Sequence, residues 1–270
     1  MFKDSHVHSK MSHDGKSFFK EYTDVAAKKN VDEITFTEHY DVYDGINTNL
    51  KELNVEYYFN IFLHDALNNY TRVNFGLEIG LQPDIKEKVS KLVSDYPFDF
   101  IIGSSHITCK KDMAMDKSFF DGLTRKEAYL KYFNEVLENI KLYDKEFDVY
   151  GHLDYVVRYG GYDEKIIKYD EFQEVLDEIL KLLIKNNKGI EVNTSGFRYN
   201  LGYAHPNIEI LKRYKELGGK IITIGSDAHH YSDLASHFNE VYDLLEELGY
   251  VYYAIYHERD PKFIKIRKEY

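Results

Sequence analysis

Short apolar runs rich in β-branched and aromatic residues recur along the chain at 3–8, 33–37, 72–81, 99–103, 148–152, 189–193, 220–225 and 250–256. Alternating or continuously apolar stretches of this length predict β-strands. Between most of them the apolar positions change to a helical period. Residues 17–29 carry Phe18, Tyr22, Val25 and Ala26 on one side, and 123–142 carry Tyr129, Phe133, Val136, Leu137 and Ile140. The segments 172–184 and 208–217 repeat the arrangement. Strand and helix therefore alternate, which predicts an α/β fold with a parallel sheet flanked by helices. With about seven or eight strands, the length favours one closed barrel, a single domain over 1–270, and no linker divides it.

Polar clusters stand at a constant place in this pattern, at or just after the apolar runs. They are His6-Val7-His8, Glu38-His39, Glu78, His106, His152, the segment 193–198, and Asp227-Ala228-His229. In a barrel of parallel strands the C-terminal ends open on one face, so residues remote in sequence converge there. The irregular stretches 40–55 and 107–124 follow two of these clusters and are expected to overhang that face and line a substrate pocket.

The residue types in the clusters point to metal ions. His6 and His8 are two apart, so on an extended strand both imidazoles project to one side and can chelate one ion. Glu78 sits in Gly76-Leu77-Glu78-Ile79-Gly80, where a charge is costly unless it meets cations. A carboxylate has two oxygens, which makes Glu78 the candidate bridge between two ions. Asp227 and His229 repeat the spacing of His6 and His8 and are expected to serve neighbouring ions. Each residue has a plainer reading: a solvated His pair, a hydrogen-bonded structural histidine, or Asp227 capping the next helix. Yet of 12 histidines, His6, His8, His39, His106, His152 and His229 all fall at strand ends, whereas His64, His205, His237 and His257 fall in helix-like or loop contexts.

Arg158, six residues past His152, and Arg198, after Asn193-Thr194-Ser195-Gly196, lie just beyond strand ends. A guanidinium offers paired planar donors, so two of them beside metal ions are expected to clamp a phosphomonoester. Ser104, Ser105 and Ser195 lack the strained elbow of a serine nucleophile.

Composition narrows the partners. A net charge of −11 argues against a general nucleic-acid binder, whose affinity rests on Lys and Arg displacing counterions. A small phosphorylated substrate remains compatible, because dications and arginines reverse the potential locally. Cys109 is the single cysteine, which excludes an intrachain disulfide and makes sulfur an unexpected ligand. Without an apolar leader or a membrane-length run, the expectation is a soluble cytoplasmic protein with no membrane partner. His and carboxylate ligands without thiolates suit Zn, Mn, Fe or Co, with zinc and manganese first. Oligomeric state stays open at this stage.

Taken in order, His6-Val7-His8-Ser9, Asp14-Gly15, Thr37-Glu38-His39, Gly76-Leu77-Glu78, Ser104-Ser105-His106, Gly151-His152-Leu153-Asp154 and Gly225-Ser226-Asp227-Ala228-His229 resemble the PHP (polymerase and histidinol phosphatase) superfamily. The segment 193–198 is similar to the phosphate-binding segment of its histidinol-phosphatase branch. The resemblance covers nearly the whole chain. It implies a distorted (β/α)7 TIM-like barrel holding three divalent ions at the C-terminal ends of the strands. By analogy His6, His8, Glu78 and Asp227 bind one ion, Glu78, His106 and His152 a second, and His39, His229 and Asp14 a third. His13, beside Asp14, is the alternative for the last position. Glu78, Asp227 and His39 are the implied catalytic residues, and Arg158 and Arg198 the implied phosphate ligands.

The implied activity is hydrolysis of L-histidinol phosphate in histidine biosynthesis by a hydroxide held between two metals. The leaving group would take its proton from His39, His230 or a metal-held water. A nucleotide, sugar phosphate or phosphotyrosine substrate is the alternative, and a non-catalytic PHP module a further one.

Overall fold

Seven of the apolar runs become the parallel strands of one sheet in the computed structural model, which describes residues 1–46, 48–66 and 71–266. They are β1 (Phe2–Val7), β2 (Val31–Tyr40), β3 (Arg72–Gly80), β4 (Phe100–Ser104), β5 (Val149–Tyr150), β6 (Gly189–Asn193) and β7 (Ile222–Gly225). Each pairs with its neighbour in sequence order. The two edges meet just past β7, where Ala228 pairs with Val7 and the His8 amide donates to the Ala228 carbonyl at 2.9 Å. The sheet is thereby a nearly closed barrel, the fold class expected from the sequence.

Helices α1 (Phe19–Ala26), α2 (Val55–Ala66), α3 (Lys86–Asp95), α4 (Arg125–Leu142), α5 (Tyr169–Lys185), the single turn α6 (Ser195–Arg198), α7 (Ile208–Glu216) and α8 (Phe238–Glu247) alternate with the strands. Strand alternation decides what faces them. On β2, Phe36 points outward and meets Phe19 and Tyr22 of α1 at ring distances of 4.3 and 5.6 Å, while His39 points inward. Outside β3, Phe75 stacks on Phe98 at 4.6 Å. Helix α4 begins at a capping box in which Thr124 and Glu127 satisfy each other's backbone amides, and it buries the expected stripe of Tyr129, Phe133, Val136, Leu137 and Ile140. No described helix is long and apolar enough to cross a membrane.

The structure departs from the sequence expectation in three respects. Glu38 and His39 lie inside β2, because that strand runs to Tyr40, beyond the apolar stretch that announces it. Helices α2, α3 and α8 were not anticipated. The eighth run forms β8 (Tyr252–His257), which leaves the barrel and pairs antiparallel with β9 (Asp260–Lys265). This hairpin packs Ala254 and Tyr256 against Phe100, Ile102 and Val149. Its His257 meets Glu33 at 2.7 Å and its Arg259 meets Asp148 at 2.8 Å, both at the N-terminal ends of strands. The barrel floor is closed, and the other end is left for the polar clusters.

Candidate metal centre

Backbone features bring the inward side chains close together. The pairing of β1 and β2 slips between Asp4 and Val7, where His6 turns into the barrel. Gly225 makes room for it: a Cβ there would stand 2.3 Å from the His6 Cβ and 2.4 Å from a Glu191 oxygen. Gly80 does the same for Asp41, whose Oδ1 would lie 1.9 Å from an added Cβ. Asp227 adopts a left-handed φ of 54°, held by its amide donating to the His6 carbonyl at 2.8 Å. Strain of this kind collects at functional sites.

Glu78 is the hub. Its Oε1 lies 2.8 Å from His152 Nε2 and 3.2 Å from His106 Nε2. Its Oε2 faces the opposite way, 3.3 Å from His6 Nε2, 3.4 Å from His8 Nε2 and 3.0 Å from His39 Nδ1. Asp227 Oδ1 approaches His6, His8 and His229 at 3.7, 3.5 and 3.6 Å. Asp14 Oδ2 is 3.0 Å from His229 and 3.7 Å from His39. His13 meets His39 only as a neighbouring ring at 5.5 Å, so Asp14 is the better placed of the two alternatives.

Cations suit this arrangement. The Nε2 atoms of His6 and His8 are 2.9 Å apart, and those of the pairs His106/His152 and His39/His229 are each 3.4 Å apart. At most one ring of each pair can supply the proton between them, so lone pairs converge. Glu78 Oε2 and His39 Nδ1 are close, yet neither has a partner in hydrogen-bond geometry, and both are buried. Among the described residues, four sets of candidate ligand atoms cluster tightly enough for an ion: His6/His8/Asp227, Glu78/His106/His152, His8/His39/His229 and His39/Asp41/His106. Bond lengths to nitrogen and oxygen near 2 Å would fit within such sets.

The electrostatics agree. Burial disfavours charge on His6, yet Glu191, Glu78 and Asp227 hold it well above its ordinary value. Asp41 and Glu78 do so for His106, while Asp14 and Glu78 bring His39 to about 9. The imidazoles in return hold Glu78 and Asp227 well below the usual carboxylate range. At His8 and His152 burial dominates and pushes the pKa down. Buried negative charge is balanced by protons on imidazoles, and a dication would bring the same compensation.

A cleft of about 400 Å³ opens over the cluster. Asp41 and Tyr43 line it from one expected overhang and Asp112, Ala114 and Met115 from the other; Asn47, in the first stretch, is outside the described residues. Arg158 and Arg198 both reach the cleft wall. Neither is idle: Arg158 donates to His205 Nε2 at 2.9 Å and Ser195 Oγ at 2.6 Å, and Arg198 donates to the carbonyls of Ser226 and Asp227, each at 2.7 Å. His230 does not line the cleft; its Nδ1 lies 2.8 Å from Ser232 Oγ.

Comparison with known proteins gives this geometry a family. The family model described as the PHP domain matches residues 4–195. The chain belongs to the PHP domain family. A Clostridium acetobutylicum protein named "Probable histidinol-phosphatase" is 32% identical over 249 residues, covering 91% of this chain and 93% of its own. The histidinol-phosphatase of Lactococcus lactis subsp. lactis is 32% identical over 232 residues, 84% of this chain and 83% of that one. A crystal structure of histidinol phosphate phosphatase from Lactococcus lactis, complexed with zinc, L-histidinol and phosphate, superposes with a TM-score of 0.86 at 30% identity, covering 96% of this chain and 98% of that chain.

Within this family member, several residues that complete the cluster's surroundings escaped sequence reasoning. Asp41 Oδ1 lies 3.0 Å from His106 Nδ1. It stands two residues after His39, the spacing that singled out His6 and His8, and that spacing could have found it. Glu191 Oε1 lies 2.5 Å from His6 Nδ1, and its Oε2 accepts the His152 amide at 3.0 Å. A carboxylate alternating with Ile190 and Val192 in a buried strand was the available signal. Glu38, quoted beside His39, faces away from the cluster and accepts from Ser9 and Ser12, organising the loop after β1. His205, read as a loop histidine, is fully buried beside Arg158.

Proposed function

We propose that the chain is a metal-dependent histidinol-phosphatase, hydrolysing L-histidinol phosphate to L-histidinol and phosphate in histidine biosynthesis. The observation that carries this reading is Glu78, with one oxygen turned to His106 and His152 and the other to His6, His8 and His39. We assign three divalent ions, zinc or manganese, to this cluster: one to His6, His8, Glu78 and Asp227, one to Glu78, His106 and His152, and one to His39, His229 and Asp14. Such ions, when bound, supply an activated water and neutralise charge on the phosphoryl oxygens.

The chain's own residues do the rest. Glu78 joins two ligand sets so that they share one carboxylate, which fixes their separation. Arg158 and Arg198 hold the phosphoryl oxygens at the wall of the cleft, adding positive charge where negative charge grows during in-line displacement. Asp41 and Glu191, bonded to the far nitrogens of His106 and His6, set ring orientation and tautomer. The cleft volume suits a small phosphomonoester better than a polymer, and the acidic charge agrees. The same proposal treats 1–270 as one functional domain: the family match ends at 195, yet Asp227 and His229 complete the cluster. Cytoplasmic location belongs to it as well.

Metal analysis combined with phosphate release from histidinol phosphate, nucleoside monophosphates and a phosphotyrosine peptide tests the reading. Preferred turnover of histidinol phosphate is expected. Preference for another ester moves the protein to a different phosphoesterase activity, and inactivity on all three with metal bound overturns the enzymatic reading.

A further inference from the structure

His205 is the buried histidine that the metal cluster does not use. It lies between α6 and α7, with its backbone paired to Asn193 by amide-to-carbonyl bonds of 2.7 and 2.8 Å. Its Nδ1 is 2.5 Å from Asp154 Oδ1, and the other Asp154 oxygen accepts the Asn207 amide at 3.0 Å. Both Asp154 and the ring are fully buried. On the far side, Arg158 Nε donates to His205 Nε2 at 2.9 Å.

The direction of these bonds follows from the groups. An arginine Nε–H can only donate, so His205 Nε2 must accept and the ring proton must sit on Nδ1, where Asp154 receives it. Burial pushes the His205 pKa down and Arg158 adds to this against the pull of Asp154, in keeping with a neutral ring. Arg158 is fixed at two further points. Its Nη2 donates to Ser195 Oγ at 2.6 Å, and its guanidinium stacks on the Tyr155 and Tyr199 rings at 4.8 and 4.2 Å. A carboxylate in direct contact with Nε would fix the fork but cancel its charge. A neutral imidazole placed between Asp154 and Arg158 fixes Nε without adding a carboxylate there; the carboxylate that does approach the fork is Asp227, whose Oδ2 lies 3.6 Å from Nη2 on the side of the histidine and carboxylate cluster.

Resting on the assignment of Arg158 to the phosphate, we propose that Asp154 and His205 form a positioning pair that aims the Arg158 guanidinium at the phosphoryl group of the substrate. Neither touches the substrate; both act through Arg158.

The test measures competitive inhibition by inorganic phosphate, with KM and kcat, on metal-replete enzyme of verified metal content. His205→Asn keeps an amide near Asp154 and loses the acceptor for Arg158, whereas His205→Gln can place its amide oxygen where Nε2 stands. Arg158→Ala is the reference. H205N is expected to raise the phosphate inhibition constant and KM about tenfold, the scale of one hydrogen bond to a charged group. It should change kcat less and leave bound metal unchanged, and H205Q should recover most of the loss. If R158A raises the constant and H205N does not, the positioning pair is refuted while Arg158 keeps its role. If R158A has no effect, the phosphate assignment fails and the pair fails with it. The ¹⁵N shifts of His205 in the folded wild-type zinc enzyme decide independently of any variant's folding. The Nδ1–H tautomer is expected; the Nε2–H tautomer or an imidazolium overturns the proposal.

Discussion

At the scale of single residues, the cluster depends on carboxylates that hold histidines as much as on the histidines themselves. Glu191 shows why: it receives the His6 ring and the His152 amide together, so its charge orients members of two ligand sets. Glu191→Gln is expected to reduce metal affinity or activity about 10–100-fold, the usual effect of removing a carboxylate partner from a ligating histidine. Chelator competition followed by metal analysis measures it, and wild-type retention would remove Glu191 from the site. Asp41→Asn is expected to act similarly but on the His106 side, so the two variants should lose different ions first. The histidines and Glu78 were legible because they punctuate apolar runs. Asp41 and Glu191 carried a fainter signal, the two-residue spacing after His39 and a carboxylate between Ile190 and Val192, which marks an inward side chain but does not name the nitrogen that it faces.

At the scale of elements, periodicity located the strands well and their sheet less well. The run at 250–256 has the same alternation as the barrel strands, yet it pairs with β9 and covers the floor. Alternation reports that one face is buried but is silent on what buries it. Helix α3 was missed for a related reason: among its residues Val89 alone is fully enclosed, so its apolar stripe is short. The hairpin gives a prediction for stability without function. Tyr256 stacks on Phe100 at 4.9 Å beneath the barrel, at the opposite end from the histidine and carboxylate cluster. Tyr256→Ala should cost about 3–5 kcal/mol in denaturant unfolding, as large-to-small aromatic changes do. Activity and metal content measured well below the melting temperature should stay near wild type; a loss of metal there would show that the floor and the cluster are coupled.

At the scale of the whole molecule, the barrel gathers buried carboxylates and imidazoles from β1 to β7 in a chain that is already strongly acidic. Bound ions and folding should therefore be linked. At a free metal concentration a thousand times its dissociation constant, binding adds about 4 kcal/mol to unfolding. The pH dependence of that gain has a definite sign. After chelation, the raised pKa values of His6, His39 and His106 stabilise the fold fully below the unfolded histidine value of about 6.5. That contribution is lost as pH rises through the folded values, which for His39 is about 9. Metal binding runs the other way, since ligands must shed protons to bind and affinity grows with pH. The difference in melting temperature between metal-loaded and chelated protein should therefore widen steadily from pH 6.5 to pH 9. Differential scanning fluorimetry with and without chelator across that window provides the measurement. A constant gap would mean that the protons on these imidazoles and the metal ions do not compete for the same lone pairs.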